Sequence, residues 1–203
     1  PKVQPCFAFA GRLQTTKGIY TLLNAFKLLI RKERLSSHPN LLIAGGSQDS
    51  VDPLNQLPRS EKLRTALKGI EHRVKFIGPQ SQQQLAKLFN NAVATIVPSY
   101  YESSGMVAAE AQACGSPVIA SKVGGLQDVV KHELTGLHVK HKNPAQLAEA
   151  MTILLHNPSY AKALGQRAAV YAQQEFNWSV LAYKMANLYK GAYYEEKIVL
   201  AGD

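Results

Sequence analysis

Two cations and two carboxylates in this chain sit where they could act together. The segment Gly11-Arg12-Leu13-Gln14-Thr15-Thr16-Lys17-Gly18 follows a short apolar run and precedes an amphipathic one. It places a guanidinium, an ammonium and the open amides of a helix start around one point, an arrangement suited to a diphosphate. It lacks the three glycines of a dinucleotide fingerprint and the Gly-Lys-Ser/Thr of a Walker loop. A glycine turn with two surface cations is the plainer reading of the same residues. Further on, Glu102 and Glu110 lie eight positions apart in Pro98-Ser99-Tyr100-Tyr101-Glu102-Ser103-Ser104-Gly105-Met106-Val107-Ala108-Ala109-Glu110. On one helix eight residues rise about 12 Å. A glycosidase pair needs roughly 5–9.5 Å, so that chemistry does not fit. Instead Glu102 is expected in a loop and Glu110 in the second turn of a helix, touching different parts of one extended ligand. Ser104, Gly105 and Met106 would offer backbone N–H groups to an anion between them. A carboxylate accepts two hydrogen bonds at once and so suits a vicinal diol such as a ribose or a sugar-ring edge. The small and apolar neighbours of Glu110 suggest an acid placed for a ligand rather than left in water.

These residues need a scaffold, and the chain alternates short β-like runs with helical ones. Apolar runs at Cys6–Ala10, Leu41–Ala44, Val74–Ile77, Ala94–Val97, Pro117–Ala120 and Gly136–Val139 read as buried strands. Between and after them, helical spacing covers about 18–34, 59–68, 82–90, 105–113, 144–156, 159–174 and 178–196. Residues 47–58 are polar, carry two prolines and read as a loop. Gly124-Gly125 reads as a glycine turn, and Gly78-Pro79 as a place where backbone could approach a flat base. Strand–helix alternation with continuous apolar strands predicts an α/β fold: a Rossmann-like, doubly wound parallel sheet of about six strands, in a single domain spanning 1–203. Such folds bind ligands beyond the carboxyl ends of the strands, which is where both cations and both acids fall.

Composition narrows the classes. The chain has 203 residues, 46% hydrophobic and 18% charged, a globular balance. No apolar run reaches the roughly 18 residues of a membrane span. Cys6 and Cys114 stand alone, without ligand-like spacing, which excludes a disulfide scaffold and a zinc cluster and fits a reducing, cytoplasmic setting. The net charge of +9 favours an anionic partner. Nucleic acid is not the expected one: Arg31-Lys32-Glu33-Arg34 is interrupted by an acid. Arg59, Lys62, Arg64 and Lys68 fit one solvated helix face, Lys140-His141-Lys142 is a short loop cluster, and no aromatic residues interleave with the basic ones. The six histidines, His38, His72, His132, His138, His141 and His156, are scattered and read as surface or loop residues. Trp178, at the start of the last helix, reads either as a core aromatic closing the domain or as a packing knob at a joint with another domain.

Four motifs in register carry a resemblance. Gly11-Arg12-Leu13…Lys17-Gly18, the Glu102-x7-Glu110 pair, Cys114-Gly115-Ser116-Pro117-Val118-Ile119-Ala120 and Val123-Gly124-Gly125-Leu126…Thr135-Gly136-Leu137 follow the order and spacing seen in retaining glycosyltransferases of the GT-B fold. The chain resembles the C-terminal, nucleotide-sugar-binding half of that family from Phe7 to about Tyr189. The loop after Gly45-Gly46 and the Gly-Gly-Leu turn are most similar to bacterial sucrose-phosphate synthases, with sucrose synthases and other members of the superfamily close by. The resemblance implies that Arg12 and Lys17 grip the donor diphosphate and stabilise the departing nucleoside diphosphate. It implies that Glu102 meets the donor hexose, that Glu110 holds the ribose hydroxyls, and that Ile77 lies by the base. Gly105 and Met106 would meet phosphate and sugar through their amides, and Gly11, Ser104 and Val107 complete the expected donor-contacting set. Many relatives carry Phe-Gly-Leu after the first acid, whereas Ser103-Ser104-Gly105-Met106 stands here, so the sugar pocket should differ in shape.

The implied reaction moves a hexose, with UDP-glucose as the expected donor, to a sugar or sugar-phosphate acceptor, fructose 6-phosphate giving sucrose 6-phosphate being one such pair. No metal or other cofactor is expected, since two cations face the leaving diphosphate. The acceptor is expected to be held by an N-terminal domain outside this chain, so the isolated domain should be inactive. Two other classes compete. A stand-alone nucleotide-binding or regulatory module would bind nucleotide without transferring sugar. A sugar-nucleotide epimerase should show the three-glycine nicotinamide fingerprint, which is absent.

Overall fold

The computed structural model describes residues 4–32 and 39–200, with side chains placed over 4–31 and 39–190. Its elements run β1 (Cys6–Ala10), α1 (Ile19–Lys32), β2 (Asn40–Ala44), α2 (Glu61–Leu67), β3 (Val74–Gly78), α3 (Gln82–Asn91) and β4 (Ala94–Val97). They continue with α4 (Met106–Ala113), β5 (Val118–Ser121), α5 (Leu126–Val129), β6 (Gly136–Val139), α6 (Pro144–His156), α7 (Pro158–Glu175) and α8 (Trp178–Leu200). The strands form one sheet in the order β3-β2-β1-β4-β5-β6, and every neighbouring pair is parallel. This is the doubly wound arrangement the sequence predicts. The chain winds outward from β1 to β3, then returns to lay β4 against β1, pairing Phe7 with Ala94 and Ala8 with Thr95. The order reverses at that joint, and a crevice opens at such a switch point.

The two faces of the sheet differ in the size of what they carry. Strand residues alternate between faces. One face presents Phe7, Phe9, Leu41, Ile43, Phe76 and Ile119 to α1, α2 and α6. The opposite face presents Ala8, Ala44, Val97, Val118 and Ala120 to α3, α4 and α5. On α1 the positions Ile19, Leu22, Leu23, Phe26 and Leu29 are fully buried. Each such side chain contributes about 1.5–3 kcal/mol of transfer free energy, more than the modest helix propensity of the segment. The small face lets α4, itself built of Ala108 and Ala111 on its inner side, approach the sheet closely. That approach brings its first turn to the switch point. Ser81 starts α3 in a capping box with Gln84, and Asn143 caps α6 with Pro144 in its first turn.

Some boundaries depart from the sequence reading. Ser60 rather than Arg59 sets the start of α2, because its hydroxyl accepts the amide of Leu63. The predicted loop over 47–58 is more ordered than its prolines suggest. A short turn of 3-10 helix covers Gln48–Ser50, and Val51 pairs with Pro58 around Asp52. The glycine turn at Gly124-Gly125 leads into a one-turn helix, α5, too short to show a period in sequence. Glu33, Arg34 and His38 lie outside the described residues.

Candidate functional site

The carboxyl ends of β1, β2 and β3 are stitched together by backbone. Gly11 N–H donates to Ala44 C=O at 3.1 Å, and Gly45 N–H donates to Gly78 C=O at 2.8 Å. A Cβ on Gly45 would run into the Gly11 carbonyl, so the chain passes here only without side chains. The loops after β1 and β4 then lock to each other. Tyr100 N–H donates to Thr16 C=O at 2.8 Å, and the hydroxyls of Thr21 and Tyr100 pair at 2.9 Å. Gly18 has φ +73° and lies so close to the Pro98 carbonyl that any Cβ would collide with it.

Across this joint Lys17 Nζ meets Glu102 Oε2 at 2.6 Å, with the two side chains only 23% and 14% exposed. Buried Ser99 adds a hydroxyl 3.4 Å from the same carboxylate oxygen. Lys17 and Glu102 come from segments 85 positions apart. One of the three ammonium hydrogens is used, leaving donors for an anion. Arg12 lies exposed nearby in sequence, and among the described residues its guanidinium has no hydrogen-bond or ion-pair partner.

The segment 102–105 is held from behind by the turn after β5. Gly125 N–H donates to Glu102 C=O at 3.0 Å, and a Cβ on Gly124 or Gly125 would strike the Glu102 or Ser103 carbonyl. The turn is anchored in its own right: fully buried Gln112 of α4 donates to Val129 C=O at 2.9 Å. Gly105, at φ +68°, is the N-cap of α4, and no side chain caps the helix. Its first-turn amides are therefore open to an anion. Beyond them, Ser104, Met106, Ala109 and Glu110 line a cleft of about 720 Å³, closed on the far side by α7 and the start of α8.

The structure thus joins Lys17 with Glu102, and Ser104 and Met106 with Glu110. Glu102 lies in a loop and Glu110 in the second turn of α4, as the spacing predicts. Glu110 is solvent-exposed, which corrects the expectation of an acid withdrawn from water, because α4 turns only its Ala108, Ala111 and Gln112 face inward. Its charge, with burial the larger cause, pushes the Cys114 thiol up; burial alone does the same for Cys6. Val107 is half-buried against the core, and only its backbone is placed to serve a ligand. Ile77 likewise packs on the core with its carbonyl taken by the Gln80 amide. Trp178 is 82% exposed, which overturns the reading of it as a core aromatic. Sequence reasoning missed Ser99, Tyr100, Gln82 of the cleft and the backing role of Gly124-Gly125. The position of Ser99 and Tyr100, directly after the proline that ends β4, was the available signal. Among the described residues no group of three His, Cys, Asp or Glu could hold a metal, and no helix is long and apolar enough to cross a membrane.

The cations, the open helix start and the carboxylates thus gather at the strand ends of a doubly wound sheet, where folds of this class bind their ligands. Residues 1–170 match the family described as Glycosyl transferases group 1, and the chain belongs to that family, as a GT-B domain of the C-terminal type. It is 38% identical over 185 residues to a D-inositol 3-phosphate glycosyltransferase of Streptomyces bingchenggensis, covering 91% of this chain and 40% of the relative. It is 33% identical over 182 residues to an uncharacterised glycosyltransferase of Methanocaldococcus jannaschii, covering 90% and 44%. Among solved structures, sucrose-phosphate synthase from Thermosynechococcus elongatus superposes with TM-score 0.76 at 36% identity, covering 96% of this chain and 47% of that one. Anabaena HepE, solved in complex with UDP, superposes with TM-score 0.78 at 22% identity over 93% of this chain and 49% of that one, a likeness of fold. The chain spans less than half the length of the curated relatives it matches.

Proposed function

We propose that this domain binds the donor of a retaining glycosyltransferase, UDP-glucose, and presents its hexose to an acceptor held by a second domain outside the chain. The observation that carries the reading is the Lys17–Glu102 pair, a cation and an acid held together at the switch point, beside the open start of α4. In this arrangement the diphosphate lies on the first-turn amides of α4 and takes charge from Lys17 and from the unpartnered Arg12. Glu102 receives hexose hydroxyls, and Glu110, exposed on the cleft, receives the ribose diol. Gly11, Ser104, Gly105, Met106 and Val107 contribute backbone, and Ile77 flanks the base.

Transfer breaks the bond between the anomeric carbon and the diphosphate oxygen. The electron pair leaves with the diphosphate, and the acceptor hydroxyl bonds to the same face of the sugar while passing its proton to the departing diphosphate oxygen. The charge that develops on the leaving oxygen is met by Arg12 and Lys17, so in this reading no metal is required. The acceptor is a phosphorylated sugar or polyol, a class supported by the names of the relatives: an inositol phosphate glycosyltransferase and a sucrose-phosphate synthase. A cytoplasmic setting is consistent with the two free thiols.

Calorimetry with UDP, ADP and GDP and their glucose conjugates tests the donor assignment. UDP and UDP-glucose are expected to bind and the others to bind more weakly. Equal affinity across the three bases would remove the uridine assignment, and absence of binding to all of them would remove the donor site.

A further inference from the structure

The cleft beside β6 shares no lining residue with the proposed donor site. It has a volume of about 380 Å³ and is lined by Lys122, His132, His138, Lys140, His141 and Gln146. Lys122 follows β5; His132 precedes β6 and His138 lies within it; Lys140 and His141 follow β6, and Gln146 comes from α6. Three of the histidines that look scattered in sequence therefore share one wall-to-wall space with two lysines. None of the lining residues is acidic; Glu149 lines only the adjoining hollow on α6, together with Lys140 and Gln146.

We propose that this cleft is a second anion site, which binds a phosphate monoester. The donors are set for one. His132 Nδ1 accepts the His138 backbone N–H at 3.1 Å, which puts the His132 proton on Nε2 as a donor. Gln146 Oε1 accepts the Lys140 N–H at 2.7 Å, which leaves its NH₂ to donate. The His132 and His138 rings stack at 5.7 Å and 4° and form one wall of the cleft. Burial is the first cause holding the His138 imidazole below its ordinary value, and the neighbouring His132 is the second. The adjacent cations are engaged elsewhere: Lys131 lies over the Tyr171 ring at 5.9 Å, and Lys142 over the Tyr100 ring at 5.0 Å. A metal fits worse, because His132 Nδ1 is already bonded and His138 Nε2 is enclosed, so the three lone pairs cannot converge on one ion. A phosphate monoester brings about −1.5 to −2 charge and three acceptor oxygens, and its second ionisation falls in the range where histidine titrates.

The two sites share no residue, and each can be occupied and tested on its own. Histidine ring signals of this chain are followed by NMR at one neutral pH and low salt while each probe is added. The probes are inorganic phosphate, glucose 6-phosphate and unphosphorylated glucose. Phosphate and glucose 6-phosphate should each move the His141 and His132 ring signals saturably, and glucose should leave them in place. A larger shift with glucose 6-phosphate at equal concentration would identify a sugar phosphate as the ligand, and equal shifts would identify free phosphate. Lys122→Ala and Lys140→Ala should each weaken the effect about two- to fivefold, the range of an exposed charge pair. Unmoved signals would overturn the proposal, as would equal shifts in the double variant. Loss of the shift on saturation with UDP would place the anion in the donor site instead.

Discussion

The loops after β1 and β4 and the last helix, α8, treat their exposed residues in opposite ways. The loops are joined at every step: Gly11 to Ala44, Thr16 to Tyr100, Lys17 to Glu102, and Glu102 to Gly125. α8 instead carries Trp178, Tyr183, Met185, Leu188 and Tyr189, each more than half exposed. Large apolar side chains normally take a buried place, as those of α1 do, and a run of them left on one surface element marks an interface. The difference separates two jobs. The Lys17–Glu102 corner is closed by residues of this chain, whereas the apolar side chains of α8 over 178–189 stand open.

Activity gives the largest test of that contrast. Holding donor and acceptor together supplies roughly 7–11 kcal/mol of barrier lowering. The chain by itself should therefore bind UDP-glucose yet transfer nothing measurable to fructose 6-phosphate or inositol 3-phosphate, and supplying the rest of a family member's length should restore transfer. A coupled assay for UDP release, run with each acceptor, reads this directly. Sustained turnover by the 203-residue chain would show that the acceptor is held by these residues after all.

Stability should divide along the same line. Gly18→Ala places a Cβ against the Pro98 carbonyl at a left-handed φ of +73°, so the joint between the two loops must open. A loss of about 2–4 kcal/mol is expected by denaturant titration, in the range of severe backbone and packing defects. Trp178→Ala on the bare side should change stability by less than about 0.5 kcal/mol, as surface substitutions do. A large loss at Trp178 would mean that α8 is held more firmly than its exposure indicates.

Much of the tied side was legible in sequence, and the reasons are local. The apolar runs and terminal glycines identify six strands, and helical spacing identifies the helices between them. The spacing of Glu102 and Glu110 is too long for a glycosidase pair on one helix, and the acids read as lying on different elements. What could not be read is contact between distant segments. Nothing in the order of residues shows that Lys17 touches Glu102, or that Gly124-Gly125 presses on the backbone of 102–103, because both facts depend on the packing of α4 against the small face of the sheet. The stack of His132 on His138 escaped for the same reason. The exposure of Trp178 was unreadable too, since an apolar residue at a helix start looks the same whether or not a partner covers it.

Ligand binding sharpens the comparison within the tied side, between its paired and unpaired charges. The Arg12 guanidinium, unpartnered in the free domain, breaks no ion pair on meeting a diphosphate. Arg12→Ala should cost about 1.5–3 kcal/mol of UDP affinity, the range for a charge-assisted bond. Glu110→Ala should weaken UDP and UDP-glucose alike, because the ribose is common to both. Glu102→Ala should weaken only the sugar-bearing ligand, and it frees Lys17 for the phosphate, so UDP itself should bind no worse. Calorimetry on the three variants checks the division, and an equal loss of UDP affinity in Glu102→Ala and Glu110→Ala would break it.

The smallest effect concerns the edge of the sheet farthest from the stitched loops. His138 lies in β6 with its imidazole held below the ordinary value, first by burial and then by His132. The unfolded chain takes up this proton at the usual histidine value near 6.5, before the folded domain does. Stability therefore declines as pH falls through that value, because the unfolded state binds more protons there, and the decline ends below the folded-state value. In the folded state, a proton on His132 Nδ1 would also remove the acceptor that the His138 N–H now uses. Replacing His138 by glutamine removes its imidazole titration while keeping the backbone donor. Thermal midpoints of the native chain should fall between about pH 7.5 and about pH 5.5, and those of His138→Gln should fall less over the same interval. Parallel profiles for the two proteins would show that the β6 edge carries none of the acid sensitivity, and that the side chain's enclosure is looser than its packing against β5 and α5 indicates.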